Sequence, residues 1–239
     1  MAVSRSIKRL LRPAKRRVNQ WLGRDVAFQP QIRRHTVHLG SEYGGWTVCP
    51  DLIARDSTVY GFGVGEDISF DLAMIQRFGT TVHAFDPTPK SMKWIKSQVL
   101  PTQFVFHNVG LAEYDGVARF VLPRADFASY RISGQEQTGA DAVECKVQRL
   151  STIMRELGHA QLDVLKMDIE GAEYAALTDI IQSKILATQL LVEFHHAPGD
   201  RPSLEKTRAC VRMLQDAGYR IFHISSTGLE YSFLHAAAI

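Results

Sequence analysis

The run Val59-Tyr-Gly-Phe-Gly-Val-Gly65 constrains this chain more than any other segment. Residues 57–62 are apolar and rich in strand formers, and Ile68, Leu72, Ile75 and Phe78 then recur at helical spacing. The unit is a strand, a tight glycine turn and a helix. Gly61, Gly63 and Gly65 lack a Cβ, so the backbone of such a turn can approach a ligand closely. The next predicted strand, 80–85, runs into Asp86. A carboxylate about twenty residues past the glycines suits the two hydroxyls of a ribose. A plain glycine turn lacks that acid, so the pair implies a nucleoside-containing cofactor.

From this unit onward strands and helices alternate. The pattern predicts helix over 88–98, strand over 103–107, helix over 151–157 and strand over 162–167. It continues with helix over 172–182, strand over 189–194 and helix over 204–217, with Gly218 as the residue that ends the last helix. Residues 117–122 and 143–148 read as an antiparallel pair around a polar surface loop, 124–141. Two closing strands, 219–224 and 230–234, are joined by Ser-Ser-Thr-Gly as a hairpin. Alternation of this kind predicts a parallel, doubly wound α/β sheet, with the hairpin adding an antiparallel strand at one edge. Five strands end in glycine or polar residues: Gly63/Gly65, Asp86, Asn108, Asp168/Glu170 and Glu193/His195. Ligands of open α/β sheets bind at such strand ends, so the five tips are expected to converge.

The 239 residues suffice for one large domain, 35–239, preceded by a separate segment, 1–34. Charge divides the chain at that boundary. Residues 1–34 hold ten Lys/Arg and one acid, for +9, while the remainder holds 18 basic and 24 acidic residues, for −6. A mildly acidic body argues against nucleic acid as a partner. Within residues 4–22, Ile7, Leu10, Leu11, Ala14, Val18, Trp21 and Leu22 share one helical face and Lys/Arg fill much of the other. That pattern suits peripheral contact with an anionic membrane, docking on the domain, a partner or a second copy, or contact with RNA; Pro13 should kink or split it. Residues 23–34 read as a linker. Tyr43 and Trp46, in a Gly-Gly turn over 41–47, read as a lid. Cys49, Cys145 and Cys210 lack metal-ligand spacing and are odd in number. They point to a reducing compartment, hence a cytoplasmic protein that can sit peripherally at the inner membrane face.

A dinucleotide and S-adenosylmethionine both fit a glycine turn followed by an acid. The dinucleotide fingerprint needs a third glycine further on, and Glu66 and Asp67 would repel a pyrophosphate at the helix start. S-adenosylmethionine carries a cationic sulfonium and no phosphate, so nearby acids suit it. The segments Gly-Phe-Gly-Val-Gly-Glu-Asp-Ile-Ser-Phe-Asp (61–71), His-Ala-Phe-Asp-Pro-Thr-Pro (83–89) and Lys-Met-Asp-Ile-Glu-Gly-Ala-Glu (166–173) resemble the FkbM-type methyltransferases. A related methyltransferase-like group carries a Tyr-Gly-Gly-Trp element, matched at 43–46. The resemblance spans roughly residues 41–235. It implies a Rossmann-like, seven-stranded class I methyltransferase sheet, mostly parallel with an antiparallel C-terminal hairpin, and S-adenosylmethionine as cofactor. It commonly implies O-methylation of a sugar, glycan, lipid-linked or other secondary metabolite.

By that resemblance Gly61, Phe62, Gly63 and Gly65 pass under the methionine portion, and Asp86 with the adjoining Pro87 serves the ribose. Asn108 and Val109 border the adenine, and Asp168 faces the sulfonium or the amino group. Glu170 and Glu173, three residues apart, are expected on one helical face. Methyl transfer to a hydroxyl also needs a proton acceptor, and His195 with Glu193, two residues earlier on an extended chain, share a face suited to it. Catalytic candidates are therefore His195, Glu193 and Glu170. Asp168, Glu193 and His195 could alternatively ligate Mg²⁺, a reading not favoured here. An Asn/Asp-Pro-Pro-Tyr/Phe signature is absent after the fourth strand, which lowers the case for methylation of amines or bases. The alternatives are a module that binds the cofactor without catalysis and, more remotely, an RNA methyltransferase. Self-association stays open.

Overall fold

A computed structural model describes residues 16–121, 131–132 and 142–238. A seven-stranded sheet forms its centre. In chain order its strands are β3 (Val59–Phe62), β4 (Val82–Phe85), β5 (Phe104–His107), β10 (Val164–Met167), β11 (Gln189–Glu193), β12 (Tyr219–Ile224) and β13 (Glu230–His235). Their spatial order is β12-β13-β11-β10-β3-β4-β5. This is the Rossmann-like class I methyltransferase sheet. Only β13 runs antiparallel to its neighbours, pairing β11 on one side and β12 on the other. The antiparallel strand therefore lies one place in from the edge, because the hairpin folds back between β12 and β11. From β3 the chain winds outward to β4 and β5, then returns to β10 on the opposite side of β3. The reversal places the sheet's switch point between the tips of β3 and β10.

The helices cover both faces. Helix α3 (Leu150–Leu157), α4 (Glu173–Gln182) and α5 (Arg201–Asp216) pack Ile153, Leu177, Ile180, Leu204 and Val211 against Tyr60, Leu165, Met167 and Val192. Residues 16–21 form helix α1, and helix α2 spans Ser69–Phe78. It packs Met74 and Ile75 on the other face against Val59, Val82, Val164 and Leu191. The short 7-residue helix over Pro89–Ile95 completes that face and is capped by Thr88, whose side chain accepts from the Ser91 amide. Strands buried on both faces read as continuous apolar runs, as a parallel sheet requires.

Two smaller sheets were harder to see in the sequence. β1 (Val37–Leu39) and β2 (Trp46–Val48) form a hairpin, so the Gly-Gly turn is its connection. β6 (Gly110–Leu111), β7 (Gly116–Val121), β8 (Arg131–Ile132) and β9 (Ala142–Gln148) form a four-stranded sheet. β7 and β9 are the expected antiparallel pair, and β8 falls within the expected polar loop, the rest of which lies outside the described residues. Of the expected helix over 4–22, residues 1–15 also lie outside them. Residues 23–34 do not hang free as a linker would. Val26 is fully buried in the core, and the Gln31 and Ile32 amides both donate to the Ile221 carbonyl. Among the described residues no helix is long and apolar enough to cross a membrane.

Candidate active site

The tips of β3, β4, β10 and β11 surround a cavity of about 600 Å³, within the range of small-molecule sites. Its floor is aromatic. Phe62 and Phe85 stack at 4.4 Å between ring centroids, and His107 continues the stack at 4.6 Å. These three are register partners across β3, β4 and β5, so the pleat aligns their rings.

The glycine turn has φ +86° at Gly63 and +55° at Gly65, values that favour glycine. At Gly63 there is a second constraint: a Cβ would run into the carbonyl oxygen of Asp168. The turn of β3 and the tip of β10 thus touch at backbone distance. Asp86 fastens the turn from the other side. One carboxylate oxygen accepts from the Val64 amide (3.1 Å), the Gly65 amide (3.0 Å) and the Ser91 hydroxyl (2.8 Å). The other accepts from the amide (2.9 Å) and hydroxyl (2.6 Å) of Thr88. The acid that the resemblance assigns to a ribose already holds five donors of its own chain. Lys166 grips the same turn from below, donating to the carbonyls of Phe62 (3.2 Å) and Gly63 (2.6 Å), with its ammonium 5.7 Å from the Trp46 ring centroid. Asp67 ties the turn to the hairpin connection, accepting from the Ser41 hydroxyl (2.7 Å) and the Ser69 amide (2.8 Å). Burial opposes its charge, but these hydrogen bonds prevail and hold its carboxyl below the usual range.

The adjoining wall is a charged cluster. His195 Nε2 lies 3.4 Å from Glu170 and 3.6 Å from Asp168, and its Nδ1 lies 3.4 Å from Glu173. Glu173 is fully buried and bridges the two strand tips, accepting from the Gly171 amide (2.7 Å) and the His195 amide (2.8 Å). Burial disfavours the His195 cation, yet Glu173, Glu170 and Asp168 together raise its pKa to about 9. Glu193 is raised to about 8, first by burial and then by the charge of Asp168. Asp168, Glu193 and His195 each bring one ligand atom within 4.8 Å of the others. Glu170 does not share a helical face with Glu173, because α4 begins only at Glu173. Glu170 sits in the preceding turn at φ +53°, a conformation costing a non-glycine residue about 1 kcal/mol or more.

The structure thus gathers Phe62, Gly63, Gly65, Asp86, Pro87, Asp168, Glu170, Glu193 and His195 on one cavity. Gly61, Asn108 and Val109 do not line it. Gly61 lies within β3 against Asp71, Val109 is buried, and the Asn108 side-chain amide donates to the Asp86 and Pro87 carbonyls. Gly110, Leu111 and Phe120 occupy the wall beyond β5 instead. Of the two aromatics read as a lid, Tyr43 stands exposed at the rim, whereas Trp46 is buried in the wall. Lys166 had one signal in the sequence, an ionisable residue inside a buried strand. Phe120 had none, since it arrives from the smaller sheet.

A family model, the methyltransferase FkbM domain, matches residues 51–221. The chain belongs to this family. Its FkbM domain is therefore of the S-adenosylmethionine-dependent methyltransferase type. The chain is 28% identical over 196 residues to the human "Probable methyltransferase-like protein 24", covering 74% of this chain and 47% of that protein. It is 26% identical over 196 residues to the Rattus norvegicus protein of the same name, covering 74% and 48%. The chain thus spans about half the length of the curated relatives it matches. Among solved structures, the methyltransferase FkbM of Methylobacillus flagellatus KT aligns with TM-score 0.48 and 14% identity, over 77% of this chain and 44% of that one. A Methanococcus jannaschii fibrillarin pre-rRNA processing protein aligns with TM-score 0.44 and 11% identity, over 77% and 68%.

The FkbM domain's cavity fits the cofactor chemically. Eight acids (Glu42, Glu66, Asp67, Asp86, Asp168, Glu170, Glu193 and Glu230) line it against Lys90, Lys166 and His195. An excess of carboxylates beside aromatic rings suits a sulfonium cation.

Proposed function

We propose that the chain methylates a hydroxyl of a sugar, glycan, lipid-linked intermediate or other secondary metabolite. The observation that carries this reading is the His195–Glu193–Asp168 cluster, set at the strand tips beside the glycine turn on the same cavity. The cofactor, when bound, supplies an electrophilic methyl group. The turn over 63–65 and the aromatic floor of Phe62 and Phe85 position it, with Asp86 holding the turn's shape and Leu111 and Phe120 offering an apolar wall. The acceptor hydroxyl is oriented by Asp168 and Glu170. Its proton passes to Glu193 or His195 once either has lost its own. Orientation supplies much of the acceleration in such a transfer. The acidic wall supports an uncharged reacting group and disfavours a phosphate backbone, hence nucleic acid. Buried, unbridged Cys49, Cys145 and Cys210 suit a reducing, cytoplasmic setting.

A second reading rests on the 4.8 Å grouping of Asp168, Glu193 and His195: a divalent cation held there would bind the acceptor oxygen and acidify it. The test offers the protein S-adenosylmethionine with a ¹³C-labelled methyl group and fractionated polar and lipid-linked metabolites. The expected result is an O-methyl carbon signal and S-adenosylhomocysteine, insensitive to EDTA. Loss with EDTA and recovery with Mg²⁺ would replace the base by the metal. Binding without turnover on any fraction would leave a cofactor-binding module.

A further inference from the structure

We infer that the segment around Trp21 is a wedge for an anionic lipid surface, and that it seats the rim of the cavity at that surface. Val18, Trp21 and Leu22 are 55%, 85% and 47% exposed. They are three of the eight large hydrophobic residues left exposed among the described residues, and they fall within five positions. Spacings of three and four put them on one face of α1 and its last turn. This face is not exposed through looseness, because the other side of the segment is fastened to the domain. The Gln20 side chain donates to the Val26 carbonyl (2.8 Å), the Gly199 amide donates to the Arg24 carbonyl (2.8 Å), and Val26 is buried.

Charge selects the occupant. Exposed Arg17 and Arg24 flank Trp21, and residues 1–34 carry +9 against −6 for the remainder. A negatively charged surface attracts this end and repels the other, which fixes orientation. A tryptophan among aliphatic residues and arginines suits the headgroup boundary. A second copy of the chain would bring +9 against +9, so self-association through this face is disfavoured.

The position gives the wedge its consequence. Arg16 donates to the Ser225 carbonyl (3.2 Å), at the start of the turn that joins β12 to β13. Thr227 and Leu229 of that turn line the cavity. A wedge resting in lipid therefore holds one rim of the cavity against the membrane, where a lipid-linked hydroxyl would be presented. This last step rests on the methyl-transfer reading above; the wedge itself does not.

The test uses the full chain, with vesicles of phosphatidylcholine alone or mixed with phosphatidylglycerol. The chain should sediment with the mixed vesicles at low salt, remain in solution with phosphatidylcholine alone, and detach as salt screens the attraction. Trp21→Glu should lower partitioning by about tenfold or more. Arg17→Glu with Arg24→Glu should do the same. Melting temperature and S-adenosylmethionine affinity of these variants should match the unaltered protein. The inference is overturned if the full chain stays in the supernatant with the mixed vesicles, or if Trp21→Glu sediments undiminished. It is equally overturned if light scattering shows a dimer that Trp21→Glu dissociates. Failure to bind S-adenosylmethionine would sink the methyl-transfer reading and leave the vesicle result standing.

Discussion

Asp86 at the tip of β4 and Glu193 at the tip of β11 are carboxylates on the same cavity, yet their surroundings differ in kind. Asp86 accepts five hydrogen bonds from the glycine turn and the start of the next helix. Glu193 is raised to about 8 by burial and then by the charge of Asp168, which favours its protonated form. One side of the cavity uses its polar groups to fix a backbone shape. The other keeps titratable groups crowded together, strained at Glu170 and poised to exchange protons. On the proposed reading, binding falls to one wall and proton handling to the other, and each can be broken separately.

The largest effect should come from Gly63→Ala. The new Cβ meets the Asp168 carbonyl and the site requires positive φ, so the two walls are forced apart. Strain of about 1–3 kcal/mol adds to overpacking of similar size. Thermal melting should drop by several degrees, and calorimetry should detect no cofactor binding. A variant that binds normally would mean that the walls do not need their backbone contact.

His195→Ala should lower turnover by roughly 10²–10⁴, the usual range for a proton-transfer group, and leave cofactor affinity within about twofold. Near-normal turnover would return His195 to a structural role as the buried partner of Glu173.

The pH profile sharpens the same contrast. Glu193 and His195, raised to about 8 and about 9, accept a proton only after losing one. kcat/KM for the cofactor, which reports the free enzyme, should climb with pH and level off above about 9. A profile flat from pH 6 to 9 would remove both groups from proton transfer. Stability should move the opposite way. His195 binds its proton more tightly when folded, so its contribution is present below about 6.5 and is lost as pH rises through about 9.

The smallest effect lies away from the cavity. His83 Nδ1 meets His107 Nε2 at 3.0 Å beside the Tyr60–His159 pair, and burial, then the neighbouring histidines, lower His83 to about 4. The unfolded chain binds this proton first, so stability should fall as pH drops from about 6.5 to about 4. His83→Phe should flatten that decline in a series of melting curves.

The sequence exposed these two walls unequally. The glycine turn, Asp86 and the Asp-Ile-Glu-Gly-Ala-Glu motif could be found because each is local: a turn's glycines and a strand's last residue sit beside the pattern that predicts them. The convergence of Gly63 with Asp168 followed from alternation alone, since a doubly wound sheet brings those tips together. Glu173's bridging bonds to Gly171 and His195 were not legible, because they depend on how β10 and β11 abut. Nor was the saturation of Asp86, which needs Thr88 and Ser91 turned back toward it. The β1–β2 hairpin escaped because three-residue strands are too short to show a period. The packing of Val26 escaped because the apolar run 26–28, bounded by polar residues, is too short to show a period.

The division of labour is tested most directly by measuring two quantities on the same samples of Asp86→Ala and Glu193→Gln: S-adenosylmethionine affinity by calorimetry, and methyl-transfer rate at saturating cofactor. Asp86→Ala should weaken affinity by roughly ten- to hundredfold, because the charge-assisted hydrogen bonds that hold the glycine turn in its shape are lost, with the saturated rate largely kept. Glu193→Gln should bind normally and transfer at least about tenfold more slowly. Equal losses of affinity and rate in both variants would contradict the assignment of binding and proton transfer to separate walls.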